Sequence, residues 1–269
     1  MSARDEYRII TSLTNETIKA VRALHMRKER DLTGTFLAEG LKFIGEALDQ
    51  GRAPRMLLVG EDARPHPLLD RAKAETRKAG GDIIIVTHAI LEKISRRDNP
   101  QTVLGVFEQA YAPLDSLDPA SAPCWVALKQ VRDPGNLGTI IRTADAAGCG
   151  GVILIGDCVD PYSVEAVRAT MGSVFAVSIT KTTPDAFLAW RKTWPGSVVG
   201  TRLDATVSHR SAMMQKPSLI LMGNEQAGLT DQLAAASDVN VTIPMRGRAD
   251  SLNLAIATGI MVYAATDEA

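Results

Sequence analysis

A chain of 269 residues has room for two ordinary domains. Its 45% hydrophobic and 23% charged content excludes a disordered chain, and a net charge of −1 means that no global basic field announces nucleic acid. The longest apolar run, Leu252 to Ala265, is too short to span a bilayer. Residues 1–20 carry Asp5, Glu6 and Glu16 and no apolar stretch of the kind a signal peptide needs, so a cytoplasmic location is expected. Cys124, Cys149 and Cys158 lack CxxC spacing and read as small buried hydrophobes in a reducing compartment; no metal is expected.

Residues 14–30 are predicted to form a helix, capped by Thr14 or Asn15, with Ile18, Val21 and Leu24 on its apolar face. Arg22, Arg27, Lys28 and Arg30 form a basic cluster toward its end. Cations at a helix C-terminus suit the dipole, so the cluster is either a solvated face or a phosphate-contacting patch. Short strands are expected at Phe36–Ala38, Arg55–Val59, Ile83–Val86 and Gln101–Glu108, with helices through Leu48, over Leu68–Lys78 and over His88–Ile94. The polar loop Ser95–Pro100, with Arg96 and Arg97, is either a solvated connection or a second RNA contact. This alternation predicts a small α/β domain over residues 1–110. Residues 111–123, with three prolines and no periodicity, read as a linker to a second domain over 124–269.

From Cys124 the pattern is a regular βα alternation. Strands are predicted at 125–131, 152–155, 175–179, 198–203, 219–222 and 239–243, and helices from Asn136, after Ser163, over 184–190, over 230–235 and over 252–265. That order predicts a Rossmann-like, mostly parallel sheet with helices on both faces. Neither GxGxxG, GxxxxGK[ST], GxSxG nor HExxH occurs, which disfavours a nicotinamide-binding domain, a P-loop NTPase, an α/β-hydrolase and a zincin.

Three segments carry polar residues that a purely structural domain does not need. They are Asp133-Pro134-Gly135-Asn136-Leu137-Gly138 running on to Arg142, Gly223-Asn224-Glu225-Gln226-Ala227-Gly228, and Ile243-Pro244-Met245 followed by Ser251-Leu252-Asn253. Each follows a predicted strand and precedes a helix, the edge of an open α/β sheet at which ligands bind. Ser251 is suited to cap the last helix, which would leave Asn253 inside it, where asparagine is a poor helix former and needs polar partners. Glu225 either caps a helix or serves a site flanked by the close-approach glycines Gly223 and Gly228. Arg142 either pairs with Asp145 on the surface or steers a phosphate with its fixed fork of donors. The final helix is apolar nearly all round, which points to cover from a second subunit.

Together these segments resemble the three signature motifs of the SpoU/TrmH branch of the SPOUT RNA methyltransferases, over about residues 124–265. The first half resembles, through Ile18-Lys19, Phe36-Leu37-Ala38-Glu39-Gly40, Ile94-Ser95 and Asn99-Pro100-Gln101, the family's L30e-like substrate-binding domain. The resemblance implies transfer of a methyl group from S-adenosylmethionine to a ribose 2′-oxygen of RNA, ribosomal RNA being favoured over tRNA. It also implies a trefoil knot in the C-terminal domain and a homodimer formed through that domain. Asn136, Arg142, Glu225, Ser251 and Asn253 would belong to the catalytic side. Gly223, Ile243, Met245 and Leu252 would hold the cofactor, and Arg22, Arg27, Lys28, Arg30, Arg96 and Arg97 would contact RNA. Gln226, where the family commonly has a second glycine, and Lys129-Gln130, in place of an Asp-plus-small pair, depart from the pattern and concern local geometry. A tRNA methyltransferase and a catalytically silent RNA-binding protein of the same fold are the alternatives.

Overall fold

The computed structural model describes residues 7–267, so Asp5 and Glu6 lie outside the described residues. Two compact units result. The first runs to Gln109 and also takes in Tyr162–Phe175; the second comprises Ala110–Pro161 and the chain from Ala176 onward.

The first unit is built on five strands, β1 (Arg8–Ile10), β2 (Thr35–Glu39), β3 (Met56–Gly60), β4 (Asp82–Val86) and β5 (Val103–Glu108), in the order β1-β4-β3-β5-β2. β1 and β3 run parallel to β4, while β5 runs antiparallel to β3 and β2. The helices are α1 (Glu16–Ala23), α2 (Arg27–Thr33), α3 (Leu41–Asp49), α4 (Pro67–Lys78) and α5 (His88–Ser95). The single helix expected over 14–30 is thus two. Asn15 caps α1, its side chain accepting from the Thr17 amide at 2.9 Å, and the chain leaves helical geometry before Met26, whose ψ is 131°. Ile18, Val21, Leu24, Leu58, Ile84, Ile90 and Leu104 are buried in one core.

The segment Tyr162–Phe175 holds α7 (Val164–Thr170), which Ser163 caps as expected, and belongs with this core although it follows in the chain by more than fifty residues. Tyr162 and Phe175 complete an aromatic cluster with Phe36 and Phe107, at centroid separations of 4.6 Å for Phe36–Tyr162 and 4.8 Å for Phe107–Phe175. Arg168 on α7 donates to Glu39 Oε1 at 2.5 Å and to the Ser95 carbonyl at 2.9 Å. Glu39 is nearly fully buried, so this charged pair has to be matched to stay folded.

The second unit carries seven strands: β6 (Cys124–Lys129), β7 (Gly151–Ile155), β8 (Ser178–Thr182), β9 (Val198–Thr201), β10 (Val207–Ser208), β11 (Ser218–Met222) and β12 (Val239–Thr242). Their order is β10-β12-β9-β11-β6-β7-β8, and every neighbouring pair among them is parallel. The near-continuous apolar runs of β6, β7 and β11 fit strands covered on both faces. The helices are α6 (Pro134–Ala146), α8 (Pro184–Arg191), α9 (Asp231–Ala235) and α10 (Leu254–Thr266). The expected strand at 175–179 lies later in the chain, at Ser178–Thr182, because Ser173–Phe175 forms a single 3₁₀ turn. Residues 111–123 contain two further 3₁₀ turns and belong to the second unit. Among the described residues, no helix is long and apolar enough to cross a membrane.

Candidate active site

Because β12, β9, β11 and β6 are consecutive and parallel, the loops that leave their carboxyl ends open on one edge of the sheet. Those loops supply all three polar segments. A cavity of about 320 Å³ lies there, wholly within the second unit. Its walls come from Thr201–Asp204 at the end of β9, Met222–Leu229 at the end of β11, Val241–Ile243 and Met245 at the end of β12, and Ser251, Leu252, Leu254 and Ala257 at the start of α10.

The four residues expected to hold a cofactor, Gly223, Ile243, Met245 and Leu252, all line this cavity, and Glu225 and Ser251 line it with them. Gly223 is there for a steric reason. A Cβ at that position would overlap the Gly228 carbonyl carbon and the Leu229 nitrogen, so the turn closes only around a glycine. Gly228 takes φ +67, and reciprocal backbone bonds between Asn224 and Gly228 (3.0 and 2.9 Å) lock the loop. Asn224 Oδ1 accepts from the Gln226 and Ala227 amides at 2.9 and 3.1 Å, and Gln226 does not take the positive φ that would call for a glycine. The Lys129-Gln130 departure is absorbed differently. Gln130 adopts φ +50, and its carbonyl accepts from Asn224 Nδ2 at 2.8 Å.

Asn253 is placed differently from expectation. It is the N-cap of α10 rather than an interior residue, and its Oδ1 accepts from the Ala255 and Ile256 amides at 2.9 and 3.3 Å. Ser251 does not cap; its hydroxyl reaches Asp250 Oδ1 at 3.2 Å. Capping fixes which end of the Asn253 amide is free, and that leaves Nδ2 to donate. It donates to Asn136 Oδ1 at 2.9 Å, which in turn leaves Asn136 Nδ2 to donate to Glu225 Oε1 at 3.3 Å. The second Glu225 oxygen accepts from Asn224 Nδ2 at 3.3 Å. Residues 117 positions apart in the chain therefore form one string, Asn253 to Asn136 to Glu225, whose direction is set by the helix cap. Asn136 itself sits in the first turn of α6, which Asp133 caps by accepting from the Asn136 amide at 2.6 Å.

Arg142 is not part of that string. It is exposed on α6, six residues beyond Asn136, which is about 9 Å of helical rise and a different face. Neither Asp145 nor any other described residue pairs with it, and it does not line the cavity.

The loop after β9 also borders the cavity, although no sequence motif marks it. Arg202 donates to both oxygens of Asp204 at 2.8 Å and to Asp231 Oδ1 at 2.9 Å, tying the end of β9 to the first turn of α9. The hydrogen bonds to Arg202 hold the Asp204 carboxyl below the usual carboxylate range, and the two carboxylates raise the Arg202 guanidinium. The rule that ligands bind at the carboxyl ends of strands pointed here too, since Val198–Thr201 ends on the same edge.

Among the basic candidates, Arg30 is a correction. It is buried, donating to the Leu24 and His25 carbonyls at 2.8 and 2.9 Å, so it braces the α1–α2 junction and is not presented to RNA. Arg27 pairs with Asp31 at 3.6 Å, Lys28 is exposed on α2, and Arg97 is exposed after α5. Arg22 and Arg96 line one cleft.

A parallel sheet with an apolar cavity at its carboxyl edge, closed by a glycine-built turn and bordered by a fixed amide–carboxylate string, defines a binding site for a small molecule with both apolar and polar parts. Residues 123–263 match the SpoU rRNA Methylase family, and residues 15–105 match the MRM3-like substrate binding domain. The chain belongs to the SpoU rRNA methylase family and is an S-adenosylmethionine-dependent RNA methyltransferase. It is 31% identical to the 23S rRNA (guanosine(2553)-2′-O)-methyltransferase RlmP of Bacillus subtilis, over 94% of this chain and 97% of that one. A crystal structure of an AdoMet-bound rRNA methyltransferase from Sinorhizobium meliloti is 48% identical, with a TM-score of 0.90 and coverage of 96% and 97%. The SpoU methyltransferase AviRb from Streptomyces viridochromogenes, in complex with AdoMet, is 29% identical with a TM-score of 0.83, covering 94% and 97%.

Proposed function

We propose that the protein methylates a ribose 2′-oxygen of ribosomal RNA. The observation that carries this reading is the coincidence of the 320 Å³ cavity with the end of the Asn253–Asn136–Glu225 string, so that a cofactor seat and a fixed polar array share Glu225. Leu203, Met222, Ile243, Met245 and Leu252 offer apolar walls for an adenine ring, while Ser251, Asp204 and the backbone of the Gly223–Gly228 turn meet polar ends. S-adenosylmethionine, when bound, supplies an electrophilic methyl group on sulfur.

Everything else falls to the chain's own residues. A ribose hydroxyl is a poor nucleophile until its proton leaves, so positioning and stabilisation of the developing oxyanion carry the acceleration. Asn136 presents an amide whose orientation is dictated by Asn253 on one side and Glu225 on the other. Arg142, exposed on α6 and without an ion-pair partner among the described residues, suits the RNA phosphate beside the reacting sugar and the charge that develops on the oxygen. Ser251 lines the cavity at the entry to α10. We further propose a homodimer through the C-terminal unit: Ile256 and Tyr263 leave an apolar face of α10 exposed, at 56% and 48%. A trefoil knot fits the return of α10 from β12 near the sheet edge to pack on α6, β6 and β11. A cytoplasmic location suits its three free cysteines.

The test is to map 2′-O-methyl positions in total RNA from cells with and without the gene. Loss of one site in ribosomal RNA is expected. Loss of a tRNA site would redirect the substrate assignment, and loss of no site would contradict the reading.

A further inference from the structure

A second cavity, of about 250 Å³, lies within the first unit and is lined by Lys19, Arg22, Ala23, Lys93 and Arg96. Its construction follows from helix geometry. Lys19 and Arg22 stand three apart on α1 and share a face. The adjoining apolar face, Ile18 and Val21, packs in one core with α5 and so sets the exposed Lys19 and Arg22 beside Lys93 in the last turn of α5 and Arg96 at its C-cap. Four cations therefore converge on one recess, and no carboxylate lines it. Glu16 touches only Lys19, at 2.7 Å, from the exposed side. Like charges at this spacing repel one another, and such a concentration persists where an anion is the partner.

Arg96 adds an independent observation. It closes α5 in the left-handed conformation, at φ +56, where glycine or asparagine would fit with less strain. This cap sets Arg96 at the end of α5, where it lines the cleft.

We infer that this cleft is a seat for a phosphodiester group of the RNA backbone, with Arg22 and Arg96 as the two forks and Lys19 and Lys93 as flanking point charges. The inference rests on the RNA-methyltransferase reading and deepens it. Guanidinium groups match phosphate oxygens two at a time, whereas lysines supply charge without direction. The recess is concave and sits between two helices, which suits a protruding backbone phosphate and not a flat lipid surface. Arg30 is excluded by burial, and Arg27 is engaged by Asp31.

The experiment measures binding of in vitro-transcribed 23S rRNA over a series of KCl concentrations, for the full chain and for an Arg22→Ala/Arg96→Ala variant. S-adenosylmethionine affinity by calorimetry serves as the check on folding. Removing two phosphate contacts is expected to flatten the slope of log K against log[salt] by about 1.5 to 2. The accompanying loss of RNA affinity at low salt should be about tenfold or more, with cofactor affinity unchanged. An Arg22→Lys/Arg96→Lys variant should keep the slope and recover only part of the affinity. An unaltered slope and affinity in the alanine variant, with intact cofactor binding, would overturn the cleft while leaving the methyltransferase reading in place. If the unmodified protein binds this RNA without salt dependence, the wider RNA reading and the cleft fail together.

Discussion

The cavity at the carboxyl edge of the seven-stranded sheet and the cleft between α1 and α5 solve two recognition problems by opposite means. The cavity's walls are mostly apolar, with Asp204, Glu225 and Ser251 among them, and its one arginine, Arg202, is spent on Asp204 and Asp231. Its polar groups Glu225 and Ser251 are held in place by Asn136, Asn224 and Asp250. The cleft is lined by four cations and Ala23, and of the four only Lys19 meets a carboxylate, that of Glu16 from the exposed side. A local field suffices for a polyanion even when the net charge is −1, while a small cofactor requires a built surface.

The largest effect that would sharpen this contrast is expected at Gly223. Gly223→Ala forces the Gly228–Leu229 backbone away, an overpacking cost of about 1–3 kcal/mol. Calorimetry should show S-adenosylmethionine affinity lowered on the order of 10- to 100-fold, with RNA affinity retained. Retained cofactor binding would mean that the turn does not shape the seat.

Asn136→Asp comes next. It replaces the donor facing Glu225 with a second carboxyl and breaks the string between Asn253 and Glu225. Two carboxyls in that position cannot both ionise easily, so turnover should fall by about 100-fold and recover partly on acidification. A flat pH profile with turnover intact would sink the string's role. Arg142→Lys keeps the charge and loses the planar fork, and turnover is expected to drop about tenfold or more. Near-normal turnover with unchanged RNA affinity would remove Arg142 from both of its proposed tasks.

The smallest effect on function is expected at Arg30. Arg30→Met leaves the Leu24 and His25 carbonyls without this donor inside the first unit, so urea unfolding should show a loss of about 1–3 kcal/mol. The salt dependence of RNA binding should not change. A flattened slope would place Arg30 among the RNA contacts after all.

Much of this is legible in the sequence. The strand-then-helix alternation and the three polar segments located the ligand edge, because apolar runs and the carboxyl-end rule are local signals. Arg30 was not readable. Its cation lies in a run of others, and only the break at Leu24–Met26 turns it inward to two carbonyls. Asn253 and Ser251 are both good caps, and the choice between them is made by Asn136, more than a hundred residues away. The strands Arg8–Ile10 and Val207–Ser208 are too short to show a period. The membership of Tyr162–Phe175 in the first unit depends on aromatic contacts with Phe36 and Phe107, which no chain-order division can foresee.

Whether the cavity and the string together move a methyl group onto a ribose oxygen is tested by transfer of radiolabelled methyl from S-adenosylmethionine to unmodified 23S rRNA, followed by alkaline hydrolysis. A 2′-O-methyl group blocks cleavage at its own phosphodiester, so the account predicts label in an alkali-resistant dinucleotide, absent with Gly223→Ala. Label recovered only in mononucleotides would place the methyl on a base and contradict it.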